Sequence, residues 1–182
     1  MRPTWAPALE RRDLLADPVR QALETMATNG VDVTEVEVTE IDPDQADTAV
    51  LVEATGWDLQ DMANCIVISG ARAGEERVCA ALVLGHTRAD VNKAVRKRLD
   101  VRKCSFMPMD DAVGRSGMEY GGITPVGLPS DWPVLVDARV VERERIVIGS
   151  GMRRSKLRLP GPLAARLPGA EVVDGLALDM PA

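Results

Sequence analysis

Two apolar runs, residues 65–69 (CIVIS) and 78–84 (VCAALVL), flank the turn-forming segment AGEE. Each run is too short for a typical helix and lies beside turn-forming residues, so each reads as a strand. A glycine-containing turn between them makes an antiparallel hairpin the simplest connection. That hairpin commits the chain to a central sheet, and the other elements must cover it. Aromatic residues are only 3% of the chain, so the core has to be built from Val, Leu, Ile, Ala and Met.

The covering elements can be placed by their boundaries. Asp17-Pro18 is a helix start, with Asp able to cap, and the apolar spacing after it runs to the stop signal Asn29-Gly30. Residues 33–40 (VTEVEVTE) alternate as a half-buried strand does. Asp42-Pro43 opens a second helix towards Gly56, and residues 58–62 form a short helical turn. Asp90 caps a basic helix over 91–99, and 107–113 forms another short helix. Strands follow at 134–137, 145–149 and 156–159, and Pro160-Gly-Pro162 opens a last helix around 163–167. The order after Gly169 is left open. Helices and strands interspersed irregularly predict a mixed α/β fold: a mixed sheet, or a partly closed barrel, with helices outside.

At 182 residues and 46% hydrophobic content, the chain suits one domain spanning 1–182, with residues 1–16 as an N-terminal extension. No apolar run reaches the roughly 18 residues of a membrane span, and MRPTW lacks a secretory signal's apolar stretch. Cys65, Cys79 and Cys104 are odd in number, and two of them sit inside apolar runs. They read as buried thiols of a cytoplasmic protein. With one histidine and no CxxC pair, no metal site is expected.

The net charge is −6, but its distribution is uneven. Residues 31–62 hold ten acidic side chains and no basic one. Residues 93–103 hold six basic residues (among them Lys93, Arg96, Lys97 and Arg98) and one Asp, and Arg153, Arg154, Lys156 and Arg158 follow later. Two readings stand side by side: a positive face for a nucleic acid on an acidic protein, or a solvated helix face and a charge-protected strand edge.

Residues 114–133 contain five Gly and three Pro and centre on YGGITPVGLP, Tyr120 to Pro129. Closely spaced glycines let backbone approach a ligand, and prolines stiffen the loop that does so. An ordinary Gly/Pro turn has the same composition. No GxGxxG, P-loop or GxSxG pattern is present, and His86 beside Gly85 is weak support for a catalytic triad.

The order NCIVI, VCAALVLGHTRADVNKAV, MEYGGITPVGLP, VLVDARV, IVIGSG resembles the YbaK/ProX editing-domain family over roughly residues 20–170. Its most specific element is Gly121 to Pro125 followed by Gly127 and Pro129. Asp90 with Lys93, Asp137, and Gly149-Ser150-Gly151 fall in matching order around it.

The resemblance implies a deacylase acting in trans, or associated with prolyl-tRNA synthetase, that hydrolyses the ester of tRNA mischarged with a small amino acid such as Ala, Cys or Ser. Editing of this kind exists because one methylene discriminates by only about 1–3 kcal/mol. It implies a substrate pocket of Gly121, Gly122, Pro125 and Gly127, with Asp137 as a polar wall and Gly149 and Ser150 in close backbone contact. It implies no cofactor and no metal. The family usually carries a lysine where this chain has Asn64, which makes Asn64 the candidate catalytic position; Asn offers a hydrogen bond but no charge. Lys93, Arg96, Lys97, Arg98, Arg153 and Arg154 are the candidate tRNA contacts. Aminoacyl-tRNA is the expected partner, with a synthetase as a further one, no membrane, and a monomer or homodimer. Two other readings remain: a catalytically silent relative binding tRNA or a synthetase, and a small-molecule or nucleotide-binding enzyme on the same scaffold.

Overall fold

A computed structural model of the chain describes residues 3–180. The predicted hairpin is its centre: β3 (Ala63–Arg72) and β4 (Glu75–Leu84) pair antiparallel in full register about the turn at Ala73-Gly74. Along β4, Val78 to Leu84 are all buried, because both faces are covered. Ala80, Leu82 and Leu84 join one core cluster, while Cys79, Ala81 and Val83 join another. This double burial explains why the run is continuously apolar rather than alternating.

The remaining strands are β1 (Ala6–Pro7), β2 (Glu37–Glu40), β5 (Thr87–Ala89), β6 (Cys104–Phe106), β7 (Val134–Asp137), β8 (Arg145–Gly149), β9 (Ser155–Pro160), β10 (Ala170–Val173) and β11 (Ala177–Asp179). They form a five-stranded sheet, β10-β7-β4-β3-β6, a four-stranded sheet, β1-β2-β9-β8, and a pair, β11-β5. β7 runs parallel to both β4 and β10, so the large sheet is mixed. The helices are α1 (Asp17–Thr28), α2 (Thr48–Thr55), α3 (Arg96–Leu99), α4 (Met109–Ser116) and α5 (Ala138–Val141). Val19, Leu23 and Met26 of α1 pack with Val38, Ile146, Ile148, Leu157 and Leu159 of the four-stranded sheet in the larger core.

The fold is mixed α/β, as expected, with its large sheets flanked by helices and no closed barrel among the described residues. The two large sheets meet where Met62 bridges Val147, alongside the beginning of β3 and β8. β6 covers the outer edge of β3 only at Ile68–Gly70, which leaves the start of β3 free to face β8.

Several boundaries differ from expectation. The strand expected from residue 33 begins at Glu37, because Asp32 accepts both the backbone N–H and the hydroxyl of Thr34 and so fixes a turn. The single helix expected over 42–56 is split. Asp42 caps a short 3₁₀ turn, Pro43–Gln45, and α2 starts only at Thr48, ending at left-handed Gly56. Asp17 lies in the first turn of α1, with Ala16 as the cap. Asp90 does cap the basic segment, by accepting the Lys93 N–H, but the segment opens as a wide π turn before α3. Of the expected N-terminal extension, residues 1–2 lie outside the described residues. Within the rest, Ala6–Pro7 pairs with β2, and Ala8, Leu14 and Leu15 are buried in the larger core.

Candidate active site

The seam between the sheets opens into a cavity of about 240 Å³. Asn64 and Cys65 of β3 stand on one side of it and Val147 to Gly149 of β8 on the other. The segment Ala46–Asp47–Thr48 and the loop residues Tyr120, Gly121 and Ile123 enclose the rest, and Lys156 reaches in from β9. The volume is below the several hundred Å³ of a drug-sized pocket, so it suits a small group.

Backbone contact holds the loop against β8. A Cβ at Gly149 would overlap the carbonyl of Gly122, and one at Gly122 would lie 2.5 Å from the Met152 carbonyl carbon. The Gly151 N–H donates to the Gly122 carbonyl at 2.8 Å, and the Gly122 N–H to the Glu119 carbonyl at 3.0 Å. Glycine at 122 and 149 is what lets two backbones touch at the pocket's edge. Gly121 has φ +79°, a conformation side chains rarely adopt.

Asn64 is half-buried, and its side-chain oxygen accepts a 2.8 Å hydrogen bond from the Thr48 hydroxyl. That bond uses the carbonyl and leaves the amide's N–H donors for the pocket. Cys65 lies beside it, and burial pushes its thiol up to about 12, so it stays protonated and is a poor nucleophile.

Lys156 is only 6% exposed. Its Nζ donates to the Ala46 carbonyl at 3.0 Å and to the Gly121 carbonyl at 3.4 Å. Burial depresses its pKa to about 8; nearby Asp47 pulls it up and Arg153 pushes it down. Sequence reasoning grouped Lys156 with its basic neighbours and missed this. The only signal was a lysine inside the apolar alternation of KLRLP, which does not reveal what covers that face.

The other predicted site residues divide. Asn64, Gly121 and Gly149 line the cavity, and Gly122 supports it from behind. Pro125 is buried in the loop beyond it, and Gly127 packs against the start of α1, where a Cβ would overlap the Pro18 carbonyl. Ser150 is buried and bonded to the Ser155 hydroxyl at 2.7 Å, so it braces the turn between β8 and β9. Asp137 is not among the residues lining the cavity. It caps α5, pairs with Arg139 at 2.9 Å and accepts the Ala177 N–H at 2.8 Å.

The basic residues divide as well. Arg153 is not among the residues lining the cavity but packs against its Tyr120–Gly121 edge: its guanidinium lies 5.6 Å from the centre of the Tyr120 ring, and its Nη1 lies against Gly121, buried with no hydrogen-bond partner among the described residues. Arg154 is committed to the Asp13 carbonyl at 2.6 Å and to Glu40 at 3.3 Å. Lys93, Arg96, Lys97 and Arg98 are exposed on the segment whose Val95 and Leu99 cover the second core cluster, and none lines the cavity. Arg98 pairs with Glu171, and Arg96 donates to the Asn92 carbonyl.

Among the described residues, no three His, Cys, Asp or Glu side chains converge as a metal would require. No helix among them is long and apolar enough to cross a membrane.

The family model for the aminoacyl-tRNA editing domain matches residues 42–167. That span contains every residue of the cavity. A search of the curated proteins gives no match. Among solved structures, a candidate trans-editing enzyme for prolyl tRNA synthetase superposes with TM-score 0.70 at 21% identity, over 88% of this chain and 97% of that one. The hypothetical protein APE2540 gives TM-score 0.71 at 18% identity, over 85% and 97%. A protein from work on epitope backbone grafting onto scaffolds by computational design gives 0.70 at 20% identity, over 92% and 100%. At these identities the likeness is one of fold.

Proposed function

Because the chain belongs to the aminoacyl-tRNA editing domain family, we propose that it hydrolyses the ester of tRNA mischarged with a small amino acid such as Ala, Cys or Ser. The observation that carries this reading is the cavity. It is small, it is edged by backbone at Gly121–Gly122 and Gly149, and it holds polar donors at Asn64 and Lys156 without an activated nucleophile. A site of this kind suits attack by water on a bound ester. Water oxygen adds to the carbonyl carbon, the bond to the ribose oxygen breaks, and that oxygen takes up a proton as the amino acid leaves.

Size sets the substrate class. About 240 Å³ accommodates a short side chain with its ester, and Val147 and Ile148 are among the apolar residues that line it. The soluble phase of the cell, where charged tRNA is found, is the compartment this activity requires. A synthetase that makes the error is a natural partner, and residues 1–182 act as one editing unit.

The test is to incubate the protein with tRNAs mischarged with Ala, Cys or Ser and with a correctly charged control. Release of the small amino acid above the spontaneous rate, with the control spared, is expected. No release from any of them overturns the deacylase reading.

A further inference from the structure

Among the described residues, Lys156 is the one basic side chain that is buried. An ammonium out of water is costly unless it is paired with a carboxylate or serves a purpose. Lys156 makes no salt bridge; its partners are two neutral carbonyls, Ala46 and Gly121, which use two of its three N–H donors. Those carbonyls belong to the two segments that enclose the cavity opposite the sheets. The ammonium is therefore held by a two-point anchor in the wall of the proposed ester site, on the same cavity as Asn64.

Resting on the deacylase reading, we propose that Lys156 is a catalytic residue: its third N–H donates to the ester carbonyl oxygen and carries the negative charge that forms there as water adds. Charge stabilisation by a buried ammonium is worth more than by one in water. Lys156 thereby supplies from β9 the charge that Asn64 cannot supply from β3. Only the protonated form does this. Burial brings its titration down to about 8. The charged groups that bear on it are Asp47, from the segment before α2, which favours the ammonium, and Arg153, from the turn before β9, which opposes it. Cys65, facing from β3, stays neutral.

The experiment compares release of amino acid from mischarged tRNA by the wild type, Lys156→Met, Lys156→Gln and the double variant Lys156→Met with Asn64→Lys, each checked for folding by thermal melting. Losing the donor is expected to slow release by about 100-fold. The ratio of wild-type to Lys156→Met rate is expected to shrink as pH rises through about 8. Returning a lysine to position 64 is expected to restore at least about tenfold, because that position faces the same cavity. Neutral variants within twofold of the wild type overturn the proposal, and so does a loss that is constant from pH 6 to about 9.5, which marks Lys156 as a brace between two loops. A wild type that releases nothing fails one step earlier, and removes the deacylase reading and this inference together.

Discussion

The Thr48 hydroxyl donates a 2.8 Å hydrogen bond to the side-chain oxygen of Asn64, joining the first turn of α2 to the start of β3 at the cavity. The bond fixes the orientation of the amide: the oxygen is occupied and the N–H donors are left for the cavity. Asn64→Ala removes those donors and is expected to lower turnover about tenfold, the equivalent of about 1.4 kcal/mol. Thr48→Val keeps the donors but frees the amide to rotate, so a smaller loss, about threefold, is expected. Asn64→Lys is expected to match or exceed the wild type. Steady-state deacylation rates at one pH decide; equal rates for all four proteins would assign position 64 a structural role only.

Gly149 lies under the Gly122 carbonyl so closely that any side chain would overlap it, and both partners are backbone. Gly149→Ala must therefore push the loop off β8. A cost of about 1–3 kcal/mol is expected, as for overpacking elsewhere, with a drop of several degrees in Tm. Gly121→Ala meets mainly the end of the Arg153 side chain, which can move, together with strain at φ +79°. It is expected to cost about 1 kcal/mol and to affect activity more than melting. Thermal denaturation of the two variants beside the wild type separates the cases, and a Gly149→Ala protein that melts with the wild type contradicts the close contact.

Much of this arrangement was legible in the sequence. The hairpin followed from two short apolar runs about a turn, and β7 and β8 were bounded correctly at 134–137 and 145–149 because turn residues or polar residues flank them. The Asp90 cap was legible for the same local reason. What failed depends on contacts distant in sequence. Lys156 and Arg158 share one face of β9, yet Lys156 is covered by Ala46 and Gly121 while Arg158 lies against Trp5 at 4.4 Å and pairs with Glu37 at 2.6 Å. Alternation puts both side chains on one face; only the tertiary cover makes one a pocket group and the other a half-buried pair. The resemblance puts Asp137 in the pocket, whereas its spacing to Arg139 already fits a helix cap.

Lys156 also predicts how stability depends on pH. Its pKa is near 10.5 in the unfolded chain and about 8 in the fold. Below 8 both states are protonated and the burial penalty is fully present. Between 8 and 10.5 the unfolded state binds more protons, so stability rises with pH across that window. The full gain is about 3 kcal/mol. Comparison with Lys156→Met cancels the other titrating groups: the wild type should gain on the variant from pH 8 to 10, by denaturant unfolding. A difference that does not vary over that range means the lysine is not desolvated.

Of the six basic residues expected to contact tRNA, Arg153 is the one that packs against the cavity's Tyr120–Gly121 edge. Unlike Arg154, which is tied to Asp13 and Glu40, it has a buried Nη1 with no partner among the described residues and lies against Gly121. A phosphate at that edge would pair with the charge of the half-buried Arg153 side chain. Arg153→Ala is expected to weaken binding of aminoacyl-tRNA and to reduce the salt dependence of log K by about one unit of slope, the signature of one lost phosphate contact. Arg154→Ala should leave the slope unchanged while costing some stability. Arg153→Ala has a second consequence, because Arg153 is one of the two charges acting on Lys156. Its removal raises the lysine's pKa, so the alkaline limb of deacylation should move to higher pH in the same variant. Titrations at several salt concentrations, with rates measured from pH 7 to about 10, test both effects on one protein. A lower affinity with an unmoved limb would place Arg153 on the tRNA but out of reach of Lys156.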